Sequence, residues 1–188
     1  LQERLDSGLA QVEMLLRSSV QSEYPLVTQA SRHLVDAGGK RFRPLLVLLA
    51  AEFGPNSGAG GAGGGGAGSA GGATRSDDPV AQDVLRAAVV VELTHLATLY
   101  HDDVMDEADR RRGVDSANAR WTNSVAILTG DFLFSKASNI LADLGPEAVR
   151  IQAMTFERLV TGQIKESVGP APDRDPVDFH IEVLADKT

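Results

Sequence analysis

Residues 89–113 read Val89-Val90-Val91-Glu92-Leu93-Thr94-His95-Leu96-Ala97-Thr98-Leu99-Tyr100-His101-Asp102-Asp103-Val104-Met105-Asp106-Glu107-Ala108-Asp109-Arg110-Arg111-Arg112-Gly113. An apolar run gives way to five acids within eight residues, and these give way at once to three arginines. Core packing does not call for such a cluster at the end of a buried helix, and neither does solubility. A site for hard divalent cations and anionic oxygens does. Asp102 and Asp106 are four apart, so on a helix they share one face, one turn apart. Carboxylates at that spacing repel each other unless a cation lies between them. Mg²⁺ suits the pair, because it takes few protein ligands and completes its shell with water and phosphate oxygens. Asp103 points about 100° away and is the poorer ligand. His95 lies seven before Asp102, two turns back on the same face, and is expected to face an anion. Glu92, a turn earlier still, is expected to be a buried hydrogen-bond partner rather than a ligand.

Outward from this stretch, periodicity predicts helices almost throughout. Leu5, Leu9, Val12, Leu15 and Leu16 recur at three and four residues, an amphipathic pattern. A second helix is expected from Pro25 to Ala37, stopping at Gly38-Gly39, and a third from about Arg43-Pro44. The third continues through Leu45 to Ala51 and is apolar all round, which predicts burial on every side. Pro79 to Ala108, Asn123 to Leu144, Ala148 to Val168 and Pro176 onward complete the set. Strand patterns are nearly absent, so the fold class is all-α.

Between the third and fourth helices the composition breaks. From Gly54 to Ala73, 11 of 20 residues are glycine. With no Lys-Ser/Thr ending, no flanking strand and no fixed spacing, it fits a phosphate-cradling loop poorly. The segment 54–78 reads as a flexible insertion.

The 188 residues suit one domain with a sizeable core. Hydrophobic content of 43% and charged content of 23% are ordinary for a globular protein. No uninterrupted apolar run reaches the roughly 18–20 residues of a membrane span. No leader sequence is evident, and position 1 is Leu rather than Met, which suggests a start inside a longer product. Cysteine is absent, which excludes disulfides, thiolate chemistry and cysteine-ligated zinc and makes a cytoplasmic place the default. A net charge of −8 argues against a broad nucleic-acid surface.

Against that acidic background a second basic cluster stands out, Gly38-Gly39-Lys40-Arg41-Phe42-Arg43-Pro44. The glycines let backbone approach a ligand closely. Lys40 and Arg43 fall at a helix N-terminus, where the dipole disfavours cations unless an anion joins them. Arg111-Arg112-Gly113 supplies a third basic element. Two basic clusters around one acidic pair suit two diphosphate ligands bridged by Mg²⁺.

These residues carry a resemblance. Gly38 to Pro44, Glu92 to His95, His101 to Asp106, Arg111-Arg112-Gly113, Gly130-Asp131, Gly162-Gln163 and Asp186-Lys187-Thr188 together resemble the trans-isoprenyl diphosphate synthases (polyprenyl synthetases), in particular medium- to long-chain bacterial members. The resemblance implies the all-α isoprenoid synthase bundle, usually a homodimer, with no transmembrane segment and no nucleic-acid partner. Isopentenyl diphosphate would be held by Lys40, Arg43, His95 and Arg112. An allylic diphosphate, such as geranyl or farnesyl diphosphate, would be bound through Mg²⁺ by Asp102 and Asp106. Arg111, Lys187 and Thr188 would lie on its phosphates, and Gln163 lower in the cavity wall. Asp102, Asp106 and Lys187 would be catalytic. In this family, bulk at the fifth position before the first aspartate limits product length. Ala97 stands there with Thr98 beside it, which implies a longer product such as a quinone side chain.

One departure matters. The family's second aspartate-rich motif has no counterpart before Thr188; Asp173 and Asp175 sit in a proline-rich loop. The expectation is a single synthetase-like domain over 1–188 with its C-terminal portion absent, turning over negligibly by itself. Two rivals follow: a partner-dependent diphosphate-binding subunit, and an isoprenoid cyclase on the same fold. The intact set Asp102, Asp106, Arg111 and Arg112 speaks against the first. A cyclase needs no second diphosphate site such as Lys40, Arg43 and His95 provide.

Overall fold

A computed structural model describes residues 1–53 and 79–187, the side chains of 79–81 excepted. The Gly-rich segment 54–78 and Thr188 lie outside the described residues. The chain divides into two compact units, 1–143 and 144–188.

The first unit holds α1 (Gln2–Ser19), α2 (Pro25–Asp36), α3 (Phe42–Ala51), α4 (Pro79–Met105), α5 (Ala117–Arg120) and α6, which begins at Asn123 and ends at Leu144. Two short strands, β1 (Arg110–Arg111) and β2 (Val114–Asp115), pair antiparallel, Arg110 opposite Asp115 and Arg111 opposite Val114. The core forms where α4 meets α1 and α2. Val89, Leu93, Leu96 and Tyr100 of α4 are fully buried, as are Val12 and Leu16 of α1 and Leu34 and Val35 of α2. Tyr100 fastens α4 to α2. Its hydroxyl accepts from the Leu34 N–H at 3.3 Å and donates to the Ala30 carbonyl. Burial pushes the phenol pKa up, so this donor stays protonated.

Three expectations need correction. α3 is not buried all round: it packs mainly on α1 and α4. Pro44 and Leu48 are buried, while Leu46 stays 46% exposed. α4 stops at Met105 rather than Ala108. Glu107 takes a left-handed φ of +50°, and the Ala108 N–H reaches back five residues to the Asp103 carbonyl at 2.9 Å. Periodicity cannot see such a wide closing turn. The strands were missed because a two-residue ladder has no alternation to read. Arg112 and Gly113 both have positive φ, +53° and +82°, the signature of a type I′ hairpin turn.

α6 also exceeds the sequence estimate. Among the described residues it is the one helix long and apolar enough, by length and composition, to cross a membrane. The estimate counted uninterrupted apolar residues, and Asp131 and Lys136 interrupt this one. A core helix passes the same test, and one face of α6 is buried through Ala126, Gly130, Leu133, Ala137 and Leu141.

In the second unit, α7 (Pro146–Val168) and α8 (Pro176–Lys187) form a helical hairpin. Asp175 caps α8, its carboxylate accepting from the N–H groups of Val177 at 2.9 Å and Asp178 at 3.0 Å. Gly162 permits the close approach of the two helices. A Cβ there would lie 2.9 Å from Asp186 Cβ and 2.9 Å from Lys187 Cγ.

Gly130 plays the same part between α6 and α4. A Cβ added there would lie 2.3 Å from His101 Nε2 and 3.1 Å from the Ala97 carbonyl oxygen. The imidazole could swing away; the backbone oxygen cannot. Ala at position 130 would gain up to ~1 kcal/mol of helix propensity but would incur an overpacking cost of roughly 1–3 kcal/mol. Gly130→Ala is therefore expected to lower stability by about 1 kcal/mol net, read as an earlier midpoint in urea unfolding. Gly8→Ala is the milder control, because its nearest neighbours are the flexible tips of Leu48 at 3.0 and 3.2 Å.

Candidate diphosphate and metal site

The end of α4, the Gly38–Arg43 turn and the Arg110–Asp115 hairpin converge within the first unit. The hairpin is held onto α2 by His33. The His33 Nε2 lies 2.6 Å from the Asp115 carbonyl, and its Nδ1 accepts from Arg120 at 3.2 Å. Ser116 and Asn118 bind the Ala108 carbonyl from the other side. The arginines of the hairpin therefore ride on an anchored turn.

Arg41, which the sequence did not single out from its neighbours, is the buried member of the first basic cluster, 9% exposed. It reaches Glu13 through Nε at 2.8 Å and Nη2 at 3.2 Å, Glu92 through Nη1 at 2.9 Å, and the Val35 carbonyl at 2.8 Å. Burial opposes its charge, but Glu13 and Glu92 outweigh burial and hold its pKa above the usual value. Lys40 and Arg43 are exposed on either side. The cluster thus separates into one internal cation and two outward ones. Glu92 is the buried partner expected, 2% exposed.

Arg112 is built differently. Its Nη1 donates to the Leu34 carbonyl at 3.2 Å and to the Gly38 carbonyl, and its Nη2 stands 3.6 Å from Glu92. Desolvation lowers its pKa first, with Glu92 opposing and Arg41 assisting. Its positive charge is therefore less fully compensated than that of Arg41. Gly39, at φ +146°, makes room for it, since a Cβ there would lie 3.0 Å from Arg112 Nη1.

His95 sits half-buried among these cations. Its pKa falls to about 4, by burial first and then by the charges of Arg43, Arg112, Arg111 and Arg41. Burial and the nearby arginines together keep the imidazole neutral.

One turn beyond Tyr100 come the acids. The Asp106 N–H donates to the Asp102 carbonyl at 2.8 Å, so the two residues stand one turn apart. Asp102 is half-buried and Asp106 is exposed. Both lie at a helix C-terminus, where the dipole disfavours negative charge. Their donor chemistry and placement fit a hard divalent cation. Among the described residues no three His, Asp or Glu side chains gather as a metal cage. An ion here would rest on these two carboxylates with water and ligand oxygens.

Asp103 has another role. It is fully buried and takes Arg111 Nε on Oδ1 at 2.5 Å, while its Oδ2 has no hydrogen-bond partner. Arg111 Nη2 lies 4.0 Å from Asp106, so Arg111 spans the two acids. The three non-glycine residues with positive φ among the described residues, Arg41, Glu107 and Arg112, all flank this site. Each costs on the order of 1–3 kcal/mol.

Ala97 is fully buried, and Thr98 donates to the His95 carbonyl at 2.8 Å. Gln163 and Lys187 lie in the second unit, where Lys187 pairs with Glu166 and Gln163 is half-buried. A surface cavity of about 1110 Å³ lies away from the acids, between α2 and the hairpin, lined in part by Arg32, His33 and Arg120.

The first unit thus gathers several arginines and a carboxylate pair around one end of α4. The chain belongs to the Polyprenyl synthetase family, whose model it matches over residues 24–188. It is 44% identical over 182 residues to the nonaprenyl diphosphate synthase of Mycobacterium tuberculosis, covering 97% of this chain and 48% of that one. It is 39% identical to heptaprenyl diphosphate synthase component 2 of Geobacillus stearothermophilus, covering 98% of this chain and 51% of that one. The chain spans about half the length of the curated relatives it matches. Its fold superposes on the geranylgeranyl pyrophosphate synthase of Corynebacterium glutamicum, solved with calcium and isoprenyl diphosphate, with a TM-score of 0.77 and 45% identity, covering 100% of this chain and 50% of that one.

The low pKa of His95 makes a signed prediction. The unfolded chain takes up this proton near 6.5, whereas the folded chain resists until about pH 4. The contribution is fully present above about 6.5 and is lost as pH falls from there through 4. In NMR titration the His95 ring is expected to change charge near pH 4, and inorganic pyrophosphate is expected to raise that midpoint. A midpoint that ignores pyrophosphate would remove the anion from this pocket.

Proposed function

We propose that this chain forms the diphosphate-binding core of a prenyltransferase. The enzyme condenses isopentenyl diphosphate with an allylic diphosphate into a medium- or long-chain polyprenyl diphosphate. The observation that carries this reading is the placement, on the single helix α4, of a neutral His95 ringed by arginines and a carboxylate pair seven residues on. The relatives named as nonaprenyl and heptaprenyl diphosphate synthases support it.

In this reading Lys40, Arg43, His95 and Arg112 bind isopentenyl diphosphate. Asp102 and Asp106 hold Mg²⁺, which would supply charge neutralisation to the departing diphosphate. Arg111, oriented by Asp103, faces the same phosphates; Lys187, Thr188 and Gln163 enter this reading from the family resemblance alone. The allylic carbon–oxygen bond breaks, the double bond of isopentenyl diphosphate attacks the resulting cation, and a proton leaves. Apolar walls protect the cation from water. The protein would act as one synthetase-like domain per chain, a homodimer in the cytoplasm. A partner-dependent subunit is the second reading; the likeness to a relative called component 2 points to it, while the synthase relatives favour the first.

Two measurements test this. In calorimetry, farnesyl diphosphate should bind only with Mg²⁺, and Asp102→Ala or Asp106→Ala should weaken it about tenfold or more, roughly 1.4 kcal/mol. Isopentenyl diphosphate should bind these variants as it binds the parent; equal losses for both ligands would contradict the assignment. Ala97→Phe, assayed in the longest natural chain that carries this sequence, should shorten the radiolabelled product. Ala97 is fully buried in the described residues, so a thermal melt accompanies the assay, and unchanged length in a folded variant removes Ala97 from the tunnel wall.

A further inference from the structure

Glu92 is fully enclosed and charged on a helix whose neighbouring faces are apolar. Taking a carboxylate out of water costs several kcal/mol, and apolar residues of similar volume often serve the fold as well or better. The residue needs a purpose beyond packing, and its contacts indicate one. A single oxygen, Oε1, accepts from Arg41 at 2.9 Å and stands 3.6 Å from Arg112 Nη2. Arg41 has a second carboxylate in Glu13. Among the contacts described, Glu92 is the only carboxylate on Arg112. The other fixed points of Arg112 are the Leu34 and Gly38 carbonyls, both on Nη1. Glu92 is thus the group that sets the rotation of the guanidinium about that edge.

We propose that Glu92 is a positioning residue for the isopentenyl diphosphate subsite, one that touches no substrate and acts by fixing where the Arg112 guanidinium points. The inference rests on the functional reading above, which assigns Arg112 to that diphosphate. It makes a prediction of unusual sign. A carboxylate near an anion site repels the anion, so electrostatics alone says that neutralising Glu92 tightens diphosphate binding. Positioning says the reverse, because an arginine freed to rotate must be reordered each time a ligand binds.

The experiment is calorimetry on the 188-residue chain with two probes, isopentenyl diphosphate alone and farnesyl diphosphate with Mg²⁺. Glu92→Gln keeps the size and one acceptor but removes the charge. It is expected to weaken isopentenyl diphosphate about tenfold while leaving farnesyl diphosphate within about twofold. Unchanged or tighter isopentenyl diphosphate overturns the proposal. An equal loss at both sites also overturns it, because that marks a general loosening of α4. If Glu92→Gln shows no cooperative melt, Glu92→Asp takes its place. Its carboxylate is drawn back by one methylene and cannot serve both arginines, so the same selective loss is expected and the same outcomes overturn it. Should the parent chain bind neither probe, the functional reading fails first and this inference falls with it.

Discussion

The structure depends on a shortage of negative charge at one place. Arg41, Arg43, Arg111 and Arg112 bear on the same small volume around His95. Glu92, Glu13 and, at Arg111, Asp103 offset them only in part. The chain meets here from far apart in sequence: α1 through Glu13, the end of α2 through the Leu34 and Val35 carbonyls, α4 through Glu92, and the hairpin through Arg112. A buried ion cluster of this kind stabilises little for its own sake. What it secures is an arrangement in which positive charge is held in place before any ligand arrives. Preorganised charge of that sort loses no reorganisation energy when an anion binds or when a leaving diphosphate gains charge.

The acidic end of α4 is the counterpart. Asp102 and Asp106 stand where the helix dipole works against them, and the buried Asp103 has one oxygen with no partner. Left-handed backbone at Arg41, Glu107 and Arg112 surrounds both halves. Each feature is unfavourable alone. Together they mark a surface that folding alone does not favour, as expected where function rather than folding selects the residues.

The long helices were legible because proline, glycine and apolar spacing mark them directly. Asn123–Leu144 and the start at Pro176 agree with the structure at their boundaries. The hairpin was not legible, since its order comes from two positive-φ residues and from His33, a lone histidine with no pattern around it. The site was partly legible. The burial of Glu92 follows from helical spacing, and the structure gives it; His95 is found half-buried among arginines. The division of labour among the arginines does not follow from spacing: Arg41 turns inward while Lys40 and Arg43 stay exposed, because only the fold brings Glu13 within reach. Asp103 was set aside as a poor ligand, and its lock on Arg111 depends on a chain reversal that composition does not show. Gly130 and Gly162 entered only as members of motifs that carry the resemblance; the physical reason for each is the helix passing beside it.

Glu92, His95, Ala97, Asp102 and Asp103 all belong to α4, one unbroken helix among them. Their separations are therefore multiples of a fixed rise of about 1.5 Å and a fixed turn of about 100°. Point substitutions can retune any of these positions singly, but the helix tolerates no change of length between them. One residue inserted between His95 and Asp102 would advance the acids by about 1.5 Å and swing them by about 100° onto another face. The span from His95 to Asp102 is thus set by helix geometry, while the loops outside α4 can change length without altering it.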